Sequence, residues 1–219
     1  MVFIFLMGLL AIKAFINAAA FVEKIAHLCW IFAFGIFLYF LRPYLGFGFI
    51  AAFFGFGIVN FKTAPLKLYL ILFLILFNLF FLFGFLEPIL IYREAFDDIL
   101  GGSNIGIQFK SPERFIPTFV LSFAYQILGL HFVNYSSIFA FVFESLPFVV
   151  VLIYLLKNRL ASNCFVSYLV IFFVLYSTVW LLGNDNLGTA VRLRMYSYIA
   201  IFIAFMIVLQ RKALLRKPN

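Results

Sequence analysis

The stretch that decides the fold is residues 165–183, which read FVSYLVIFFVLYSTVWLLG and carry no charged side chain. A helix needs about 20 predominantly apolar residues to cross the hydrocarbon core of a bilayer, and this run has that length and composition. Seven further runs have a similar apolar character: 2–22, 25–41, 44–61, 66–86, 115–132, 137–156 and 195–210. The sequence therefore predicts an all-α, polytopic transmembrane helix bundle of about eight spans, with a range of six to eight.

The composition of the whole chain supports this class. Of its 219 residues, 67% are hydrophobic and 11% are charged, whereas a soluble domain is about half apolar and a quarter charged. Lipid can solvate the outer faces of such helices, provided that the backbone polar groups are satisfied internally. The net charge of +8 comes from basic residues spread singly or in pairs between apolar runs, which excludes a nucleic-acid surface. We expect a single transmembrane domain over residues 1–219 with membrane lipids around it.

One long connection, residues 87–114, interrupts the apolar runs. Its part from 91 to 100 has Ile91 and Ile99 on one side and acidic residues on the other, which predicts a short amphipathic interfacial helix. The acidic residues have i, i+3 and i+4 spacing and are Glu94, Asp97 and Asp98. Such a set can share a divalent cation, but it is more often a solvated helix face. Neither histidine has a partner at metal-ligand spacing, so no metal site is predicted.

The distribution of lysine and arginine predicts the orientation. If the C-terminus is cytoplasmic, alternation of eight spans also places the 87–114 connection inside and residues 184–194 outside. Ten of the sixteen basic residues then lie on the cytoplasmic side, as the positive-inside rule favours. We therefore expect a multi-pass protein with a cytoplasmic C-terminus.

The strongest local signal is the segment 183–194, which reads GNDNLGTAVRLR between two apolar runs. Asparagine, aspartate and glycine favour tight turns. Arg192 and Arg194 can fork onto phosphate or carboxylate oxygens through planar, fixed donors. The alternative interpretation is a simple turn followed by two arginines whose long stems anchor the last helix at the interface.

Residues 186–194 resemble the pattern Asn-x-Gly-Thr-x-x-Arg-x-Arg that precedes the last membrane helix in multi-spanning bacterial proteins of surface-polysaccharide gene clusters. These are relatives of O-antigen and oligosaccharide polymerases and of glycosyltransferases that use lipid-linked sugars. The resemblance covers about residues 110–212, and such proteins are usually longer, so the chain would be a short member or a C-terminal part. It implies a location in the bacterial inner membrane, a polyprenyl-phosphate-linked sugar as partner, and no organic cofactor.

The resemblance also implies roles for residues of this segment. Arg192 and Arg194 would hold the phosphate at the outer surface, and three neighbours would bind sugar hydroxyls: Asn184, Asn186 and Thr189. Asp185 or Glu144 would act as general base for the acceptor.

Glu144 is a candidate on independent grounds. It lies near the middle of the run 137–156, three residues before Pro147. A carboxylate at that depth costs several kcal/mol unless it is protonated or paired, so such residues are functional candidates by default. A protonated glutamate that hydrogen-bonds to a neighbouring helix is the equally weighted alternative.

A second class of function is a non-enzymatic small membrane protein, namely a transporter or channel subunit or a toxin-immunity protein. A transporter is favoured by paired broken helices, and Pro147 gives one clear break. Small residues along the third apolar run, such as Gly48 and Ala52, favour close helix packing. That packing is mainly expected inside the bundle, with a homo-oligomer or a partner membrane subunit as the alternative.

Overall fold

The computed structural model describes residues 1–94 and 104–215. In these ranges the chain is all-helical, and its one β-bridge joins Asn104 to Asn186. The α-helices are α1 (Val2–Asn17), α2 (Phe21–Leu41), α3 (Pro43–Gly55), α4 (Leu66–Leu82), α5 (Glu87–Glu94), α6 (Pro112–Gln126), α7 (Tyr135–Ala140), α8 (Leu146–Lys157), α9 (Cys164–Gly183) and α10 (Leu187–Leu215). The all-α class is confirmed.

Four helices are long and apolar enough to cross a membrane, which makes this a membrane protein by length and composition. They are Phe21–Leu41, Tyr135–Lys157, Cys164–Gly183 and Leu187–Leu215. Helices α4 and α5 give a fifth span if this pair, which is bent by 73°, counts as one. Each predicted apolar run contains a helix, but eight spans are not confirmed. Helices α1 and α3 are only 16 and 13 residues long, because turns and Pro43 divide the apolar sequence.

Helix α6 is also shorter than a membrane span requires. It has 15 residues, its first turn carries Glu113, and it contains Pro117. It ends at Gln126, six residues before the end of the predicted run 115–132. A helix of this length rises only about 22 Å, which is less than the roughly 30 Å hydrocarbon core. Because of the polar residues at its two ends, α6 is shorter than the helix that the apolar run predicts.

The helix from Tyr135 to Lys157 contains an irregular turn. Residues Phe141–Ser145 form a π-helix between α7 and α8. Pro147 follows immediately in α8, where its ring has no N–H to donate to the preceding turn. A π-turn holds one extra residue and is frequent at functional sites. This turn carries Glu144.

The described residues form two compact units. The first comprises those of Met1–Thr63, Tyr154–Tyr176 and Ile199–Asn219. Its core is aromatic, with the Phe5 ring 5.0 Å from that of Phe172. The small residues of α3 serve close packing here, because a Cβ at Gly48 would lie 2.8 Å from the Cβ of Tyr176.

The second unit comprises the described residues of Ala64–Ile153 and Ser177–Tyr198. Phenylalanines join α4 to α6 in this unit: the Phe77 ring lies 4.8 Å from that of Phe119, and the Phe81 ring lies 4.4 Å from that of Phe115. All candidate site residues from the sequence, from Glu144 to Arg194, belong to this unit.

Candidate functional site

The turn between α9 and α10 is held by an arginine from another part of the chain. Arg93, in α5, is buried and donates through Nη1 to the Asn184 carbonyl at 2.6 Å and the Leu181 carbonyl at 3.0 Å. Its Nε donates to the Ile107 carbonyl at 2.9 Å, and its Nη2 pairs with Asp185 Oδ1. The guanidinium therefore joins the connection before α6 to the α9–α10 turn.

Asp185 is the counter-ion of Arg93. It is almost fully buried, and besides the arginine its Oδ2 accepts from the Gly106 amide at 2.8 Å and its Oδ1 from the Ile107 amide at 3.2 Å. A general base needs a lone pair that reaches a substrate proton. Both oxygens of Asp185 already accept from protein groups, as is typical of a carboxylate that stabilises the fold.

Asn184 links the same turn to α6. Its Nδ2 donates to Gln126 Oε1 at 2.6 Å, and Gln126 Nε2 returns a hydrogen bond to the Asn184 carbonyl at 3.1 Å. Gln126 Nε2 also donates to Ser122 Oγ at 2.8 Å. We call Arg93, Gln126, Asn184 and Asp185 the turn network. In this network the Asn184 Nδ2 contacts protein groups, whereas its Oδ1 is buried with no hydrogen-bond partner among the described residues.

Asn186 caps α10. Its Oδ1 accepts from the Thr189 amide at 3.0 Å, the usual bond from an N-cap side chain to the third helical residue. Its Nδ2 donates to Asn104 Oδ1 at 3.1 Å. The predicted sugar-binding residues Asn184, Asn186 and Thr189 are therefore brought together, in contacts that stabilise the turn and the start of α10.

Arg194 and Glu144 form a second polar cluster. Arg194 Nη2 donates to Glu144 Oε2 at 2.7 Å, and Nη1 lies 3.4 Å from Ser145 Oγ. The arginine side chain is 5% exposed and the glutamate side chain 48%. Arg194 Nε is buried and has no hydrogen-bond partner among the described residues. We call Glu144, Ser145 and Arg194 the ion-pair site.

The surrounding backbone is shaped to this site. Gly129 has a φ of +66°, and a Cβ there would lie 2.7 Å from Ser145 Oγ and 3.1 Å from Arg194 Nη1. Tyr198, one turn after Arg194, donates to the Ile127 carbonyl at 2.6 Å, and its ring lies 5.6 Å from the guanidinium carbon. Only glycine fits at 129, both for its conformation and for this close approach.

Arg192 is not part of the ion-pair site. It is exposed, whereas Arg194 is buried, and both lie on α10. Two residues apart on a helix point about 200° apart around its axis. Of the two arginines predicted to hold the phosphate, the structure brings Arg194, and not Arg192, to Glu144. Because Asn186 starts α10 directly after the turn, the arginines are already helical rather than part of a loop.

The described part of the connection before α6 is hydrogen-bonded to the α9–α10 turn. The Ile105 amide donates to the Asp185 carbonyl at 2.9 Å, and Asn104 bridges to Asn186. Segments that exchange hydrogen bonds cannot lie at opposite surfaces. We therefore expect the described residues of this connection and the α9–α10 turn on the same side of the membrane, in contrast to the prediction that residues 87–114 lie inside and residues 184–194 outside, which counted α6 as a span.

The sequence analysis did not predict Arg93 and Gln126 of the turn network, Ser145 of the ion-pair site, or the neighbouring Tyr198. In the sequence, Arg93 served only as one of the basic residues that predict the orientation. It follows the apolar Ile91 and Tyr92 and precedes Glu94. Gln126 is a lone side-chain amide inside the apolar run 115–132, which is a usable signal. Tyr198 follows Arg194 by four residues, the spacing of neighbours on one helix face. Two of the carboxylates predicted as a possible cation set, Asp97 and Asp98, lie outside the described residues.

No protein-family model, curated protein or solved structure matches this chain.

Proposed function

We propose that this chain is a bacterial inner-membrane protein of surface-polysaccharide assembly. It binds a polyprenyl-phosphate-linked sugar and takes part in its polymerisation or glycosyl transfer. The observation that carries the proposal is the ion-pair site, in which a buried arginine with an unsatisfied donor contacts a half-exposed carboxylate. Arginine matches phosphate oxygens in geometry and charge, and a nearby carboxylate can accept a proton from an acceptor hydroxyl.

The position of Arg194 along α10 supports a lipid-linked ligand. Helix α10 has 29 residues and carries Arg211 and Lys212 near its end. Roughly 20 helical residues rise the 30 Å of a hydrocarbon core, so a helix that leaves the core at Arg211 enters it near Val191. Arg194 then lies about one turn inside this boundary. A phosphate at the head of a polyprenyl chain reaches this depth without leaving the lipid.

The residues have distinct roles in this proposal. Arg194 stabilises the negative charge that develops on the phosphate as the bond from its oxygen to the anomeric carbon breaks. Glu144 takes the proton from the acceptor hydroxyl as the new glycosidic bond forms. Arg192, which is exposed on another face of α10, contacts anionic head groups at the boundary. Asp185 keeps Arg93 and the turn in place and does not meet the substrate.

A second candidate is a transporter of an anionic substrate. It is favoured by the bend of 73° between α4 and α5, which adds a second interrupted helix to the π-turn at Phe141–Ser145. Paired broken helices are typical of transporter binding sites. A transporter would move the lipid-linked sugar without forming a glycosidic bond, so it needs Arg194 but no general base.

Product formation in cells tests the proposal. In a host whose surface polysaccharide depends on this gene, Arg194→Lys and Glu144→Gln should each lower the polymer ladder by about 100-fold at normal abundance, because fork geometry and a proton acceptor are lost. Arg211→Lys, at the other end of α10, is the control and should leave the ladder unchanged. A full ladder with both site variants would refute the proposal. Loss with Arg194→Lys alone would favour the transporter.

A further inference from the structure

We infer that Arg194 is an anion-binding site that Glu144 occupies in the unliganded protein, and that a phosphate or diphosphate group displaces the glutamate from it. The identity of that group as the head of a polyprenyl lipid rests on the proposed function. The displacement itself rests on the geometry of the ion-pair site.

The first step is the unequal burial of the two charges. The Arg194 side chain is 5% exposed and that of Glu144 is 48% exposed. A buried cation is destabilised when its counter-ion is removed, so Arg194 favours the states in which an anion lies beside it. A half-exposed carboxylate can swing away at a much smaller cost. The cation is therefore fixed and its anion exchangeable.

The second step is that the glutamate satisfies the arginine incompletely. The carboxylate pairs through one oxygen with Nη2, the contact from Nη1 to Ser145 Oγ is long at 3.4 Å, and Nε has no partner among the described residues. A guanidinium normally binds a phosphate through two parallel hydrogen bonds. A phosphate has at least two non-bridging oxygens, also when it links a sugar to a lipid, and these can engage the donors that Glu144 leaves unused.

The third step is that the two partners have backbones of different rigidity. Arg194 lies in α10, which is one regular helix from Leu187 to Leu215. Glu144 lies in the π-turn, three residues before Pro147, which interrupts the ladder of backbone hydrogen bonds. A turn with one extra residue and a missing donor can change its local hydrogen bonding at small cost. The displaced partner is thus the one on the adaptable backbone.

The exchange orders the steps of the proposed reaction. While Arg194 holds the Glu144 carboxylate, that carboxylate is engaged in the ion pair. When a phosphate takes its place, the carboxylate is released beside the bound donor and can accept the proton of the acceptor hydroxyl. The general base therefore becomes available only after the donor has bound.

Direct binding tests this inference on the purified full chain in phosphatidylcholine nanodiscs, with inorganic pyrophosphate and undecaprenyl phosphate as separate probes. If the carboxylate occupies Arg194 about nine-tenths of the time, Glu144→Gln and Glu144→Ala should bind about 10-fold more tightly than the wild type. Arg194→Gln should abolish binding in every background. Glu113→Gln, which removes an exposed carboxylate of the same unit, is the control and should bind as the wild type.

A measurement on the wild type keeps the test independent of variant folding. Carbodiimide modification of Glu144, followed by mass spectrometry, should become several-fold faster when pyrophosphate binds. Slower modification, or neutral variants that bind no more tightly, would overturn the exchange.

The two probes separate failure of the exchange from failure of the proposed function. Tighter, Arg194-dependent binding of pyrophosphate without any binding of undecaprenyl phosphate supports the exchange and contradicts the polyprenyl ligand. Undecaprenyl phosphate that binds equally to the wild type and the Glu144 variants supports the proposed ligand and contradicts the exchange.

Discussion

Two buried arginines of the second unit differ in how completely they are satisfied. Arg93 donates to the carbonyls of residues 107, 181, 182 and 184 and pairs with a buried carboxylate. Arg194 has one ion pair, one long contact and an unsatisfied Nε. A fully satisfied guanidinium fixes structure, whereas one with a spare donor can bind a ligand. We therefore expect Arg93 to stabilise the fold and Arg194 to bind a ligand.

This division predicts that Asp185→Asn acts on stability. Removing one partner of a buried pair leaves the other charge uncompensated, which costs about 3–5 kcal/mol. We expect a large drop in the thermal midpoint in detergent and low abundance in the membrane, with Arg93→Lys behaving alike because lysine cannot reach the same set of acceptors.

Glu94→Gln, which neutralises the exposed neighbour of Arg93, is the matched control and should change stability by less than about 0.5 kcal/mol. A stable Asp185→Asn protein that makes no polymer would instead assign Asp185 to catalysis.

The sequence indicated which residues are unusual for their position, but it did not indicate which residues they contact. A carboxylate inside an apolar run and an arginine after a turn already indicate that Glu144 and Arg194 are unusual. Their contact joins residues 50 positions apart, and that of Arg93 with Asp185 joins residues 92 positions apart. Such pairs depend on how the helices pack, and no local pattern encodes that. For the same reason, the sequence did not show that both oxygens of Asp185 accept from protein groups.

At the scale of elements, the start of α10 decides which way its arginines point. The sequence predicts a span from residue 195 and a loop before it, whereas the helix begins at Leu187. Asn186 supplies the signal for the earlier start, because asparagine is among the best N-cap residues. Its contact with the Thr189 amide makes residues 187–194 helical. The cap thereby turns Arg194 toward Glu144 and Arg192 away from it.

The capping role predicts that Asn186→Ala costs about 0.5–2 kcal/mol of stability. Asn186→Asp keeps the accepting oxygen and should retain both stability and polymer formation. Asn163→Ala is a matched control, since Asn163 Oδ1 accepts from the Val166 amide at 2.9 Å before α9 and lies outside the second unit. Both alanine variants should lower the thermal midpoint similarly. If Asn186→Asp folds normally and loses all polymer, the asparagine binds substrate as the resemblance implies.

At the scale of the whole molecule, the number of spans decides which segments share a membrane surface. Composition and apolar runs were enough to predict an all-helical membrane protein. They were not enough for the count, because an apolar run says nothing about where turns and prolines cut the helix. If α6 is counted as a span, every segment before it is assigned to the other side of the membrane relative to α9 and α10. Without α6, two spans separate residue 134 from residue 184, so the connection before α6 and the α9–α10 turn share a side.

Cysteine labelling tests this arrangement in a background where Cys29 and Cys164 are replaced by serine. Lys110→Cys and Gly188→Cys lie at exposed positions of the connection before α6 and the first turn of α10, and Leu160→Cys lies at an exposed position before α9. Because Asn104 and Ile105 contact Asn186 and Asp185, the first two sites should react with a membrane-impermeant maleimide from the same side. Leu160→Cys should react from the opposite side, since the 20 apolar residues of α9 separate residue 160 from the turn.

With a cytoplasmic C-terminus, intact cells should label residues 110 and 188 and protect residue 160. Labelling of 110 together with 160, and of 188 alone from the other side, would restore the eight-span alternation and would contradict the contacts between the two segments.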